Sequence, residues 1–343
     1  MIKKEKRYPI IKLLTIGIMP SFIKIIIYRL KGYKIGKNVK IGLGSIICGK
    51  EVFINDNSNI SFGVVIKVDK LVIGKNVRIN TGTFIDTLEV HLDDDSIIGE
   101  MVGIGGIRTE QSLLKIGKRC HVFSYSLINP TLPIILGDDS SFGYANYVFT
   151  HASWNSMLDG FPVVFAPITI GKGVWLPSRV QIFPNVTIGD GAVIGAGSIV
   201  TKSIPANSFA VGSPAMVKVE NYPPPIDEEK RNNILEQIIS DFINHLEYNN
   251  YNVKKVPFEE GFELIIHKRK KTYNIKYLNK NKALEHINCD SLLIIDNQNI
   301  QIDNNNIQMC INLKTKTRVG TSKVGEEFTK FISRYGIRLD RKD

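Results

Sequence analysis

Isoleucine, leucine, valine or phenylalanine recurs every six residues through most of residues 35–205, with small and polar residues between. The clearest run is Ile170, Leu176, Ile182, Ile188, Ile194 and Val200, with glycine directly after three of them. Upstream the beat comes in triplets: Ile35/Ile41/Ile47, Ile54/Ile60/Ile66, Ile73/Ile79/Ile85, Leu92/Ile98/Ile104, Ile116/Val122/Ile128 and Leu136/Phe142/Val148. A period of six fits neither an amphipathic helix nor a long alternating strand. It suits a solenoid whose turns each have three short flat faces.

One triplet is then one coil of 18 residues, and coil starts at 35, 54, 73, 92, 116, 136, 170 and 188 give intervals of 19, 19, 19, 24, 20, 34 and 18. Departures from 18 predict loops pushed out of the prism. Four residues after the first two apolar positions of each coil stand Val39, Ser45, Ser58, Val64, Val77, Thr83, Ser96, Val102, Cys120, Ser126, Ser140, Asn146, Val174, Val180, Ala192 and Ser198, all small except Asn146. A narrow prism needs one filling and one small side chain per face, which this pairing supplies. A β-sandwich is the weaker reading, because its turn signals come about every 8–12 residues without a fixed beat.

The segments "THASW" and "APITIGKGVWLPSRVQIFPNVTIGDGAVIGAGSIVTKSIPANSFAVGSPA" carry a resemblance. Residues 35–219 resemble the hexapeptide-repeat, left-handed parallel β-helix acyltransferases, and within them the galactoside, maltose and nodulation-type acetyltransferase group. The left-handed coil is implied by that resemblance, since the general crossover preference is right-handed.

At 343 residues, with 43% hydrophobic and 22% charged content, the chain has room for a sizeable core and two domains. Cys48, Cys120, Cys289 and Cys310 stand singly, which reads as reduced, structural and cytoplasmic. The longest uncharged N-terminal run, Leu13 to Ile23, contains Pro20 and is too short to span a membrane. Of the net charge of +11, residues 1–40 hold eleven Lys/Arg against Glu5 alone. Residues 1–34 are therefore expected to cap the prism as a packed helix pair with solvated lysines outside, the preferred reading, the alternative being a peripheral contact of residues 1–40 with an anionic membrane surface. No aromatic-interleaved basic motif points to nucleic acid.

After "NYPPPIDEEK", with residues 220–225 as linker, residues 226–343 read as a small α+β domain. Asp227 is placed to cap a helix with the stripe Ile234, Leu235, Ile238, Ile239, Phe242, Ile243 and Leu246. Strand-like runs follow at "FELIIHK", "TYNIKYL", "SLLIID", "NIQID" and "IQMCINL", then a helix near "GEEFTKFISRYG". His245, His267 and His286 read as surface or packing residues.

Chemistry concentrates at the 34-residue interval, where His151 stands as the chain leaves the prism. Loops on a rigid scaffold are where sites lie, and an imidazole is a suitable base for a hydroxyl at neutral pH. His151 also matches the catalytic histidine of the "TH" motif that the resemblance carries. The resemblance further implies an acetyl-CoA donor, an oxyanion donor in the backbone amide of Ser178, and CoA contacts at Ser178, Ala196, Thr201 and Lys202. Trp154 and Trp175 are expected to wall the acceptor. Two departures stand out: "RCHVFSYS" replaces the family's asparagine-bearing acceptor segment, and Met216 replaces an arginine near the CoA phosphates, leaving Lys218 or Lys202 to supply charge.

The resemblance implies O-acetylation of a sugar of a capsule, lipopolysaccharide or related glycan by a homotrimer, with N-acetylation of a nucleotide-linked amino sugar as the runner-up. A non-catalytic scaffold or a metal enzyme like the γ-carbonic anhydrases is the third reading. No metal is expected, because His91, His121 and His151 do not converge on one edge.

Overall fold

The computed structural model describes residues 9–258, 261–269, 271–278, 292–295 and 307–342, in two compact units, 1–224 and 225–343. In the first, each hexapeptide supplies one short strand and one corner, so backbone hydrogen bonds run to the coils above and below. Three sheets result: an eight-stranded first face from Lys34–Ile35 to Thr187–Ile188, a ten-stranded second face, and an eight-stranded third face from Ile46–Cys48 to Ile199–Val200. Strands within the eight-stranded sheets are parallel, and the second face ends in an antiparallel pair, Ser208–Gly212 with Ala215–Glu220.

Register turns the beat into columns. Ile41, Ile60, Ile79, Ile98, Val122, Phe142 and Leu176 lie directly above one another along the second face. Every apolar position of the beat and every small position paired with it is buried. The small serines also join coils: the Ser140 hydroxyl donates to Gly171 O (2.7 Å) and accepts from Val174 N (2.9 Å), satisfying groups shut away from water.

Among the described residues of the first unit, the 34-residue interval is the one that sends a long segment out of the prism. In the 19-residue coils the extra residue is not a loop; Val68 and Thr87 turn inward and are buried, because the corner leading to the next first face is wider than the others. The 24-residue interval likewise folds against that corner. Arg108 is buried there, with Nη2 donating to Lys67 O (3.1 Å) and to Thr87 O. Lys67 Nζ meets Asp86 Oδ2 at 2.5 Å, so the buried cations are paired.

Helix α1 (Ile10–Thr15) and helix α2 (Ser21–Leu30) precede the first coil. The expectation that the lysines here are solvated is corrected at Lys24, which is fully buried and donates to Gly42 O (2.5 Å) and Ser45 O (3.0 Å). Those carbonyls at the edge of the first coil have no coil above to satisfy them, and the ammonium takes that place. Tyr28 is buried beside it and its hydroxyl accepts from Ile47 N (2.9 Å). The turn between the helices is pinned by Gly44 N donating to Gly17 O (2.7 Å).

The second unit packs helix α3 (Glu228–Tyr248) and helix α4 (Lys323–Ile332) on a seven-stranded mixed sheet. Asp227 accepts from Lys230 N (2.7 Å) as the cap of α3. Leu235, Ile238, Ile239, Phe242 and Leu246 are buried, whereas Ile234 is exposed and falls off the stripe. Strands lie at Gly261–Lys268, Lys271–Leu278, Leu292–Ile295 and Met309–Asn312. Three further strands, Asn252–Phe258, Thr317–Gly320 and Asp340–Lys342, lack apolar alternation strong enough to stand out in the sequence. Pro257 is tolerated because its strand is at the sheet edge. The expected strand at "NIQID", His286 and Cys289 lie outside the described residues.

Candidate active site

His151 occupies the neck of the excursion between coils six and seven. After the third-face strand Tyr147–Phe149, His151–Ala152 pairs antiparallel with Val164–Phe165, so His151 faces Phe165 across a short hairpin. Below it Thr150 is fully buried, its hydroxyl accepting from Leu132 N (3.0 Å) and donating to Asn129 O (2.8 Å), and Ala166 N closes the neck on Thr150 O (3.0 Å). These bonds tie the base of the hairpin to the previous coil.

The imidazole is half-buried and stacks on Phe165 with ring centroids 5.5 Å apart and planes 14° apart. Its Nδ1 is shut away from solvent and has no hydrogen-bond partner among the described residues. Burial disfavours the imidazolium and holds the pKa below the ordinary imidazole value, so the ring is neutral and able to accept a proton at neutral pH.

Ser178 lies on a different edge. It is exposed in the corner turn between the second and third faces of coil seven, followed by Arg179 at φ +61°. Among the described residues no acceptor takes the Ser178 amide hydrogen, while Arg179 N donates to Tyr144 O (2.9 Å). A Cβ on Gly143, one coil below, would come within 2.8 Å of Ser178 N and 2.6 Å of Pro177 C. Glycine is therefore what lets this corner settle on the coil beneath. Ala196 repeats the corner one coil above, with Gly197 N bonded to Ser178 O (3.0 Å).

Thr201 and Lys202 follow the third-face strand Ile199–Val200, at its far edge, which is the edge His151 occupies. The expected CoA contacts thus divide between two edges, and His151 and Ser178 are separated within one chain by the width of the third face. Trp175 points outward from the second face, beside Ser141 and Val193 in the ladder. Trp154 sits in the hairpin and is 97% exposed, so neither tryptophan is packed in a core. Lys218 is exposed, within the strand register shift opposite Phe209 and Ala210, and Met216 faces solvent on the same strand. Among the described histidines of the second unit, His245 lies 3.7 Å from Glu327 and exposed His267 bonds Thr272.

Two contributors escaped the sequence reading. Phe165, the ring partner of His151, follows no beat and leaves no signal. Asn146 did leave one, as the only residue in the small-residue slots that is not small. Its buried side chain donates to Leu176 O (3.0 Å) and accepts from Val180 N (2.7 Å), bridging coil six to coil seven across the break. Exposed Tyr144 and Tyr125, with centroids 5.2 Å apart, form an aromatic edge one coil and two coils below Ser178, respectively.

Residues 167–202 match the bacterial transferase hexapeptide (six repeats) family model. A Staphylococcus aureus (strain MRSA252) protein assigned by name to the acetyltransferases is 46% identical over 81 residues, 23% of this chain and 40% of the relative. The galactoside O-acetyltransferase of Escherichia coli (strain K12) is 65% identical over 51 residues, 15% of this chain and 25% of the relative. Among solved structures, a hexapeptide-repeat acetyltransferase of Vibrio cholerae O1 biovar eltor, complexed with acetyl coenzyme A, is 23% identical, with 38% of this chain and 70% of that chain covered at a TM-score of 0.34. The chain spans less than half the length of these curated relatives. The matched segment lies inside the six-residue ladder of the first unit, so what residues 167–202 are similar to is the hexapeptide repeat of the bacterial transferases.

Proposed function

We propose that the chain is an acetyl-CoA-dependent O-acetyltransferase that acts on a sugar hydroxyl of a capsule, lipopolysaccharide or related glycan. The observation that carries this reading is His151: a half-buried, neutral imidazole with an unpartnered Nδ1, held at the neck of the one long excursion from a rigid prism. In the reaction the imidazole takes the proton of the acceptor hydroxyl, and the oxygen attacks the thioester carbonyl to form the new C–O bond. The tetrahedral oxyanion is received by the Ser178 amide, whose hydrogen is otherwise unused. Collapse breaks the C–S bond, and the departing thiolate takes the proton back from the imidazolium. Most of the acceleration comes from holding donor and acceptor in line.

Ala196 above Ser178 keeps that corner low enough for a pantetheine chain to lie against the backbone. Lys202 and Lys218, both exposed, are the proposed partners of the CoA phosphates, with Thr201 beside them. Tyr125 and Tyr144 offer flat faces suited to sugar rings, and Trp154 and Trp175 remain the proposed walls of the acceptor. The separation of His151 from Ser178 supports a homotrimer in which one chain supplies the base and its neighbour the donor slot. Incubation with acetyl-CoA and a panel of glycans, following thiol release and locating new acetyl groups by NMR, tests the reading. Thiol release no faster than uncatalysed hydrolysis with every acceptor would end it.

A further inference from the structure

The N-terminal helices pack Ile16 and Ile25 against the core yet leave a large apolar surface uncovered. Helix α2 directs Lys24 and Tyr28 into the first coil, while Phe22, Ile26 and Leu30, at successive four-residue steps, face outward and are 65%, 55% and 83% exposed. Ile10, Ile11 and Leu14 of α1 and Ile18 of the turn extend the same apolar exposure. The same segment and the first coil carry Lys12, Arg29, Lys31, Lys34, Lys37 and Lys40, all exposed, with Arg29 Nη2 donating to Ile35 O and Gly36 O, and the sequence holds no acidic residue from Lys6 to Lys50. None of the helices among the described residues is long and apolar enough to cross a membrane.

We propose that this face docks on the surface of an anionic lipid bilayer, with the aliphatic and aromatic side chains in the headgroup boundary and the lysines on the phosphates. An amphipathic element with bulky apolar groups on one side and cations flanking them is what lies in the plane of such an interface. The unopposed charge decides between occupants. A second copy of the chain brings the same cations to the contact, whereas an anionic leaflet neutralises them. The buried Lys24 bonds fix α2 to the prism, so the face is presented without a folding step on the membrane.

The test is vesicle co-sedimentation of the full chain, without donor or acceptor present, which separates it from the question of activity. The expected result is binding to phosphatidylcholine vesicles containing phosphatidylglycerol, weak binding to phosphatidylcholine alone, and loss of binding as salt is raised. The triple variant Phe22→Ser, Ile26→Ser, Leu30→Ser should bind about tenfold more weakly or worse, with an unchanged circular dichroism spectrum, because these side chains are outside the core. Lys31→Glu with Lys34→Glu should also weaken binding about tenfold or more, on the basis of charge near the surface. Absence of binding to either vesicle, equal binding to both, or a triple variant that dissociates an oligomer in sedimentation velocity while keeping its vesicle affinity would overturn the proposal.

Discussion

His151 is kept uncharged by its own surroundings, with the Phe165 ring on one face and no carboxylate among its hydrogen-bond partners. Replacing it with alanine should lower turnover by about 10²–10⁴, the usual yield of a general base, with CoA affinity and melting temperature nearly unchanged because it lies outside the apolar columns. The pH profile follows from the direction of its shift. The base must be neutral, so kcat/KM should rise through a pKa below the ordinary imidazole value of about 6.5 and be flat by neutrality. The linked effect on stability has the opposite sense to that of a paired histidine. Unfolded imidazole takes up protons first, so this group destabilises the fold progressively as pH falls from about 6.5 to the lowered folded value. A profile that titrates well above neutrality would assign the base to another group.

At the level of the element, the third-face strand of coil six and the corner of coil seven are tied together through Asn146. Asn146→Ala should cost about 2 kcal/mol or more, because the Val180 amide and Leu176 carbonyl lose a buried partner, and urea unfolding would measure it. The coils were legible in the sequence because stacking imposes the same demand on every sixth residue, and Ile170 to Val200 meet it without a gap. The corner residues were not, since Val68, Thr87 and Arg108 turn inward for reasons set by their neighbours in adjacent coils. The position of His151 was readable from the broken beat, but its hairpin pairing with Phe165 was not, because two-residue strands carry no periodicity. Strands such as Thr317–Gly320, held between partners on a mixed sheet, were invisible for the same reason.

In the whole molecule, the proposed division of His151 and Ser178 between neighbours makes a complementation test available. His151→Ala and Ala196→Trp each disable one half of a shared site, so co-expressed chains should regain activity in roughly a quarter of sites, as random mixing at a repeated heterologous interface dictates. No recovery, in oligomers shown to be mixed, would place both halves in one chain. The second unit has its own core and offers no comparable constellation among its described residues. A chain ending near Tyr222 should keep turnover with small sugars and lose preference for the natural acceptor, and equal preference in both forms would deny the second unit a selecting role.

The columns of the prism also make it a spacer of fixed pitch. Successive coils lie one strand spacing apart, so the five steps from the first coil to coil six set His151 roughly 24 Å along the axis from the coil that holds α2. With α2 on a bilayer and the prism axis upright, His151 would stand at a set height above the surface. Because the core repeats coil by coil, removing residues 54–72 would lower that height by about 5 Å, provided the Asp86 and Arg108 contacts made by Lys67 are replaced. The number of coils would then set the distance between the surface that holds the protein and the place where it acts.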